Sequence, residues 1–539
     1  MVNIFYRTEE IKNEEILNYF VESAQERQII DKLKLSSPVI LVGSRGVGKS
    51  FLFKVAQKEM LDSFDEKKVL PVYVTFRSSS LLVTNNKNKF HNWMLARICN
   101  EILRALKKKG LVDITNSSFT VLGDKGIGKV TNLEQIVELY ENSWKDPNQE
   151  INAAEIPTID AFLDAIEDIC EDVGINRIVL FIDEAAHVFL PEQQRQFFNL
   201  FRDLRSPYVS CNAAVYPGVT VYGEFFQPTH DASLINLHRS INEEDYIRHM
   251  KDMVVKQLVA SSDTTSEQIS QLLKRGENFS ILAYAASGNP RHLLKTIISS
   301  GKLENKQVNE TIRAYYRTDI WAEHSNLAEK YKGHRELIDW GRNFIENEVL
   351  PSIVKKNAER LGEDKKTSSY FWVHRDAPQV VKEALRLLEY TGILFEEGKG
   401  IKATSKQIGS RYFLNIGILI SNEAVSTSTA LDIIRSISPR NSTEYGINSK
   451  NYESLKVDFK DLNEPDMPGV LNEILLKEIE VLDLPVWQIE ELKNVCIFKI
   501  KDILLAKEED FKKIYMVGDV RARRIKSAAV SSVYEYLSD

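Results

Sequence analysis

The apolar run Pro38-Val39-Ile40-Leu41-Val42 passes without a polar interruption into a glycine-rich stretch. A helical alternation through Phe51, Leu52, Phe53, Val55 and Ala56 follows. A short unbroken apolar run predicts a strand buried on both faces of a parallel sheet, because a half-solvated strand would alternate. The pattern recurs at Arg177-Ile178-Val179-Leu180-Phe181-Ile182, which ends in the acids Asp183 and Glu184. Val69 to Phe76 and Tyr208 to Val215 complete the set, the former expected beside the first strand. Such strands separated by helical stretches predict an α/β fold with a doubly wound parallel sheet.

Beyond Lys302 the helical pattern continues through Ala314, Tyr315, Ile320 and Trp321. Pro378 to Tyr390 predicts an amphipathic helix carrying Val380, Val381, Ala384, Leu385, Leu387 and Leu388, closed by Thr391-Gly392. A strand at Ile393 to Phe395, a turn at Glu396 to Gly400 and a returning strand at Ile401 to Ala403 are expected next. The polar stretch 436–468, broken by Pro439, Asn441, Gly446 and Pro465, predicts a linker. Short helices then alternate with turns to the end. The expected organisation is an α/β core over 1–240, a helical lid over 241–305, a helical domain with the hairpin over 306–435, and a small all-α domain over 469–539.

Composition narrows this little. A chain of 539 residues exceeds a single core, and 43% hydrophobic with 27% charged residues is ordinary for a soluble protein. The net charge of −7 argues against coating nucleic acid over the whole surface and leaves room for a local basic patch. No run approaches the ~20 apolar residues of a membrane span, and Met1 to Glu10 carries no signal-peptide pattern. Cys99, Cys170, Cys211 and Cys496 are scattered without metal or disulfide spacing, so a reduced cytoplasmic setting is expected.

The chemistry sits at two of the strand ends. Gly43-Ser44-Arg45-Gly46-Val47-Gly48-Lys49-Ser50, continuing into Phe51, matches G-x-x-x-x-G-K-[ST]. Its glycines let backbone N–H groups crowd around phosphates, and the following helix N-terminus adds partial positive charge. Lys49 is expected to reach the β- and γ-phosphates of ATP, and the Ser50 hydroxyl to ligate Mg²⁺. At the end of the other strand, Asp183 is the expected Mg²⁺ carboxylate and Glu184 the residue that polarises the attacking water. A similar stretch, Gly123 to Val130, lacks the hydroxyl; with Phe119 and Val121 it reads as a hairpin rather than a second phosphate site. His187 follows the acids closely and reads as a packing or surface residue. No Ser/His/Asp triad or metal-ligand cluster suggests a second activity.

On these motifs the chain resembles AAA+ ATPases, most closely the origin-recognition-complex (initiator) clade and its bacterial relatives. The segments Asn18 to Glu22 and Glu26 to Ile30 resemble the lead-in of that clade, and Ser287-Gly288-Asn289-Pro290-Arg291-His292-Leu293-Leu294-Lys295 resembles its lid motif. The resemblance implies that Arg291 contacts the γ-phosphate from the lid, and that a winged helix follows. The clade's polar sensor is not obvious: Asn212 is a candidate, while Tyr216-Pro217-Gly218 occupies the expected strand end. Arg202, Arg205 and Arg239 are candidate arginine fingers. The last sixty or so residues resemble a tandem helix-hairpin-helix domain, similar to the C-terminal domain of the RNA polymerase alpha subunit. In that domain Gly518 would open a helix whose amides grip phosphate, with Arg521, Arg523, Arg524 and Lys526 adding charge; a protein-binding module of the same fold is the alternative. The implied function is an ATP-driven switch or loader at double-stranded DNA, capable of homo-oligomer formation. The alternative is a signalling or phage-defence regulator whose C-terminal half binds a protein partner. No membrane role is implied.

Overall fold

The computed structural model describes residues 7–82, 88–112, 117–123, 131–146, 148–185, 191–223, 225–260, 270, 274–330, 334–363, 365–404, 406–423, 426–452, 474–482, 484–515, 517, 518, 521, 522, 525, 526, 528 and 529. The chain divides into two compact units. Met1–Tyr73, Asn176–Phe181 and Val209–Asn463 form the first; Val74–Ile175, Ile182–Tyr208 and Glu464–Asp539 form the second.

The first unit is built on strands β1 (Val39–Val42), β2 (Val69–Thr75), β3 (Arg177–Asp183), β4 (Val209–Val215) and β5 (Ser233–Asn236), in the order β2-β3-β4-β1-β5. β1 pairs in parallel with β4, from Val39↔Asn212 to Val42↔Val215, and with β5, from Val39↔Ser233 to Val42↔Asn236. This is the expected α/β class with one correction. β2 lies beside β3 at the edge of the sheet, not beside β1. Pro71 offers no N–H to a ladder and so favours an edge, whereas β4, buried at every position, takes an inner place. The edge strand β5 carried too little apolar pattern to be read in advance.

The helix Lys49–Asp62 lays Leu52, Phe53, Val55 and Ala56 into one apolar cluster with Leu41, Val179 and Phe181. Phe53 and Phe181 pack with ring centroids 5.4 Å apart. Arg27, on the helix Ala24–Leu33, donates to Glu59 at 3.0 Å and ties that lead-in helix to the one after the phosphate loop. Both ends of the loop are therefore anchored in the core.

Later in the same unit, a second sheet runs in the order β7-β8-β6-β9. Its strands are β6 (Tyr370–His374), β7 (Leu394–Lys402), β8 (Ile408–Leu414) and β9 (Thr443–Tyr445). The helix Gln379–Tyr390 buries Val381, Ala384, Leu385, Leu387, Leu388 and Tyr390, close to the expected face. The hairpin differs from expectation. β7 runs on through Glu396 to Gly400, with register shifts around Gly398, and pairs with β8. The turn falls instead near Lys406, whose φ is +64° and whose N–H reaches Ala403 O. The glycines mark irregularities in a strand rather than a turn, as isolated strand glycines often do. The expected linker is also partly structured: Thr443–Tyr445 pairs in parallel with β6, while 453–468 lies outside the described residues.

In the second unit, the helices Lys89–Lys108, Asn132–Glu141, Ile159–Val173 and Pro191–Asp203 follow the strand ends. Phe76 packs on Trp93 and Phe197, with centroids 5.3 and 6.1 Å away. The hairpin expected around Phe119 and Val121 is instead a helical turn, Ser118–Val121, tied by the Ser118 hydroxyl to Asp168. The segment 124–130, with the rest of the second glycine motif, lies outside the described residues, as does His187. Among the described residues, no helix is long and apolar enough to cross a membrane.

Candidate functional site

β1 feeds directly into the phosphate loop, and the helix begins at Lys49. Gly43 N–H donates to Val215 O at 3.2 Å, joining the start of the loop to the end of β4. Gly46 and Gly48 hold φ values of +81° and +102°, conformations in which a Cβ is costly. The Lys49 ammonium donates to Gly43 O at 2.6 Å and Ser44 O at 3.2 Å, and lies 4.0 Å from the ring centroid of Tyr216. In the sequence Tyr216 marks only the expected end of the strand. Its ring is the structure's addition to the site.

The helix Pro290–Ser300 closes on this loop. Asn289 caps it, accepting from the N–H groups of Arg291 and His292, with Pro290 at the first position. The same side chain donates through Nδ2 to Arg45 O at 2.7 Å, so one amide joins the cap to the loop. A Cβ at Gly46 would fall 2.7 Å from Arg291 Cβ, which shows how closely the Arg291 stem lies on the loop. Arg291 Nε is buried and makes no hydrogen bond among the described residues. Burial, then the like charge of Arg45, pulls its guanidinium below the ordinary value. A cradle with no room for a Cβ and an orphaned arginine nitrogen suit a polyanionic ligand. Arg45 turns its side chain to Glu323, 3.5 Å away on the helix Ile320–Lys330. Burial would raise the Glu323 carboxyl, but Arg45, Lys295, His292 and Arg291 together hold it below the usual range.

Arg239 is a brace rather than an arginine finger. Only 6% exposed, it pairs with Glu26, donates to Val47 O at 2.7 Å and to Gly288 O at 3.5 Å. It thereby joins the lead-in helix, the phosphate loop and the turn before Asn289. Burial would raise Glu26, yet Arg239 and His249 bring it down to about 2. Nothing in the sequence links positions 213 residues apart, so this pair was not legible there. Asn212 is not a sensor at the loop. It sits at the middle of β4, opposite Val39 and three residues short of the strand end that meets Gly43, and donates to Leu33 O at 2.9 Å. Ser50 is half-buried in the first turn of the helix, followed by Phe51 packed on the core.

Asp183 and Glu184 belong to the second unit. Asp183 is 4% exposed at the end of β3, and its Oδ1 accepts the Glu184 N–H at 3.0 Å. Glu184 stands at φ +48°, a left-handed conformation that a non-glycine residue adopts at a cost, and accepts from the Thr75 hydroxyl at 3.4 Å. Arg202 pairs with its neighbour Asp203 at 2.8 Å. Arg205 is exposed.

Near the chain end, the helices Val486–Asn494, Ile500–Leu505 and Glu508–Phe511 are short, and Gly518 O accepts Ala522 N–H as a further turn begins. Gly518 and Arg521 are exposed, the latter with its guanidinium 5.4 Å from the Trp487 ring centroid. Lys526 is not available as a phosphate ligand in the way expected. Its ammonium donates to the carbonyls of Ile503, Leu504 and Ala506 at 3.0, 2.8 and 2.6 Å, capping the C-terminal end of the helix Ile500–Leu505. Arg523 and Arg524 lie outside the described residues.

The strand–glycine loop–helix unit at an inner strand, the strand ending in Asp-Glu, and the capped helix over the loop define a P-loop ATPase of the AAA+ class. The chain belongs to the ORC-CDC6-like family, whose model matches residues 4–361. Among solved structures it is similar to the ORC1 protein of Aeropyrum pernix in complex with DNA, at 12% identity and a TM-score of 0.32, covering 76% of this chain and 91% of that one. The ORC2 protein of the same organism, in ADPNP-ADP complexes, gives 11%, 0.33, 78% and 93% in the same order. AMPPCP-bound DnaA from Aquifex aeolicus gives 14%, 0.24, 62% and 84%. The family assignment rests on the sequence match. No curated protein matches the chain.

Proposed function

We propose that this ATPase is an ATP-driven switch acting at double-stranded DNA, and that Arg291, lying against Gly46 with its Nε unsatisfied, is its nucleotide sensor. That contact carries the reading, because a half-buried guanidinium whose Nε is enclosed and unsatisfied is stabilised by an anion arriving on the same loop. In this reading Gly43 to Ser50 cradle the phosphates of ATP, Lys49 leaves the loop carbonyls for the β- and γ-phosphates, and Ser50 with Asp183 holds Mg²⁺. Bound there, Mg²⁺ neutralises charge on the phosphates. Glu184 orients and polarises the attacking water. Hydrolysis removes the γ-phosphate that Arg291 senses and loosens the Pro290–Ser300 helix.

DNA engagement is assigned to the helix Gln379–Tyr390 with the β7–β8 hairpin, read as a winged helix, and to Gly518, Arg521, Arg523 and Arg524 in a helix-hairpin-helix tail. A loader that assembles as a homo-oligomer and works in the cytoplasm fits the same parts. A second reading, a signalling or phage-defence regulator with a protein partner, is favoured by one observation. Leu476, Val481, Trp487, Val495, Phe498, Leu505 and Tyr515 are all large apolar side chains at least 36% exposed, within one short stretch.

ATP hydrolysis by the full chain, with and without double-stranded DNA at low and moderate salt, tests the proposal. Stimulation by DNA that fades with salt is the expected result, since phosphate contacts release counterions. Turnover indifferent to DNA moves the conclusion to the protein-partner reading; no turnover refutes both.

A further inference from the structure

The loop after β4 touches both the phosphate-loop lysine and the helix–hairpin domain. On one side, the Tyr216 ring lies 4.0 Å from the Lys49 ammonium. On the other, it packs edge-on against Tyr390, the last residue of the helix Gln379–Tyr390, with centroids 5.0 Å apart and planes at 78°. Gly218 makes a second joint: a Cβ there would fall 3.0 Å from Arg386 Cα, so the loop backbone lies directly on that helix. The loop also closes on itself. The Thr220 hydroxyl donates to Tyr216 O at 2.7 Å and Val219 N–H to Pro217 O at 2.8 Å, which favours movement as one piece. Two residues past Tyr390, the turn at Gly392 comes near the phosphate loop itself. A Cβ on Gly392 would stand 3.5 Å from the His292 ring and 3.9 Å from the Ser44 hydroxyl.

We propose that Tyr216 is a positioning residue that relays phosphate binding at Lys49 to the helix–hairpin domain through Tyr390. The inference rests on the reading of Gly43 to Ser50 as the ATP site. A phosphate oxygen forms a charge-assisted hydrogen bond with an ammonium, and this outcompetes the attraction of a neutral ring. When Lys49 turns to phosphate, Tyr216 loses that cation contact, and the packing of its ring on Tyr390 loosens. The segment Arg386 to Phe395 then loses a contact that depends on whether nucleotide is bound. The ring matters here, and the hydroxyl does not.

The test is hydrogen–deuterium exchange on the full chain with and without Mg·ATPγS, with affinity read in parallel from a fluorescent ATP analogue. In the wild type, nucleotide should speed exchange across 386–395 by roughly twofold or more, as expected for a lost packing contact. Tyr216→Phe should behave like the wild type. Tyr216→Leu should bind nucleotide roughly 2- to 10-fold more tightly, because the ring no longer competes for Lys49, and should lose the response at 386–395. Tyr390→Leu should bind nucleotide and show fast exchange at 386–395 whether or not it is present. Wild-type binding without any change at 386–395, or failure of Tyr216→Phe to preserve the response, overturns the relay and leaves the ATP site standing. Absence of wild-type binding overturns both.

Discussion

Replacing Arg239 by Met keeps most of its stem and removes its charge, which isolates the brace joining the lead-in helix, the phosphate loop and the turn before Asn289. Glu26 is then a buried carboxylate that has lost its guanidinium partner, with the His249 ring 3.5 Å away. Holding Glu26 at about 2 instead of its ordinary 4.5 corresponds to about 3 kcal/mol of stability at neutral pH. Breaking one partner out of a buried pair costs about 3–5 kcal/mol, in agreement. For domains of this general size that is a fall of roughly 6–12 °C in the melting temperature. Calorimetry at pH 7 should compare the wild type, Arg239→Met, Glu26→Gln and the double variant. The double variant should melt above Arg239→Met, because no uncompensated charge remains. The sign with pH follows from a lowered carboxyl. Its contribution is complete above pH 4.5 and disappears as pH falls towards 2, so the gap between wild type and Glu26→Gln should narrow across that window. An Arg239→Met transition within about 1 °C of wild type at pH 7 refutes the brace.

Lys49→Ala should abolish ATP binding or reduce turnover at least ~100-fold in a phosphate-release assay, and unchanged turnover would move the phosphate site elsewhere. Glu184→Gln should bind the fluorescent ATP analogue normally while turnover falls by roughly 10²–10⁴, with retained turnover showing that another group activates water. Burial pushes the Glu389 carboxyl up to about 7, so its contribution to stability is complete below pH 4.5 and lost as pH rises through 7. Glu389→Gln, still able to accept the Glu396 N–H, should therefore melt above wild type at pH 8 and converge with it near pH 5. Identical melting curves across that range would show that Glu389 is not constrained by burial.

The parts of the site that were legible in sequence are those fixed within one element. The apolar run into Gly43, the glycines needed at positive φ, the lysine at the helix start and the acids closing β3 each follow from neighbouring residues. Asn289-Pro290 likewise announces its helix start, since a capping side chain followed by proline is a local device. The turn near Lys406 was missed for the opposite reason. Glycines at 398 and 400 look like turn residues locally, but the position of the hairpin is set by pairing with β8, which a local pattern does not contain. Lys526 shows the same limit. A basic residue beside a glycine hairpin suggests phosphate, whereas the fold brings three carbonyls of an earlier helix end within its reach.

By itself, then, the sequence determined the fold class, the phosphate loop and the identity of its lysine and acids, because hydrophobic period and glycine geometry act over a few residues. The tertiary structure alone decided what surrounds them. It set β2 at the sheet edge, turned Arg239 inward onto Glu26, tied the mid-strand Asn212 to Leu33 O, and brought Tyr216 between Lys49 and Tyr390. These are contacts between residues up to hundreds of positions apart. They are selected by which surfaces can be packed and which buried charges can be paired, and that choice exists only once the elements have come together.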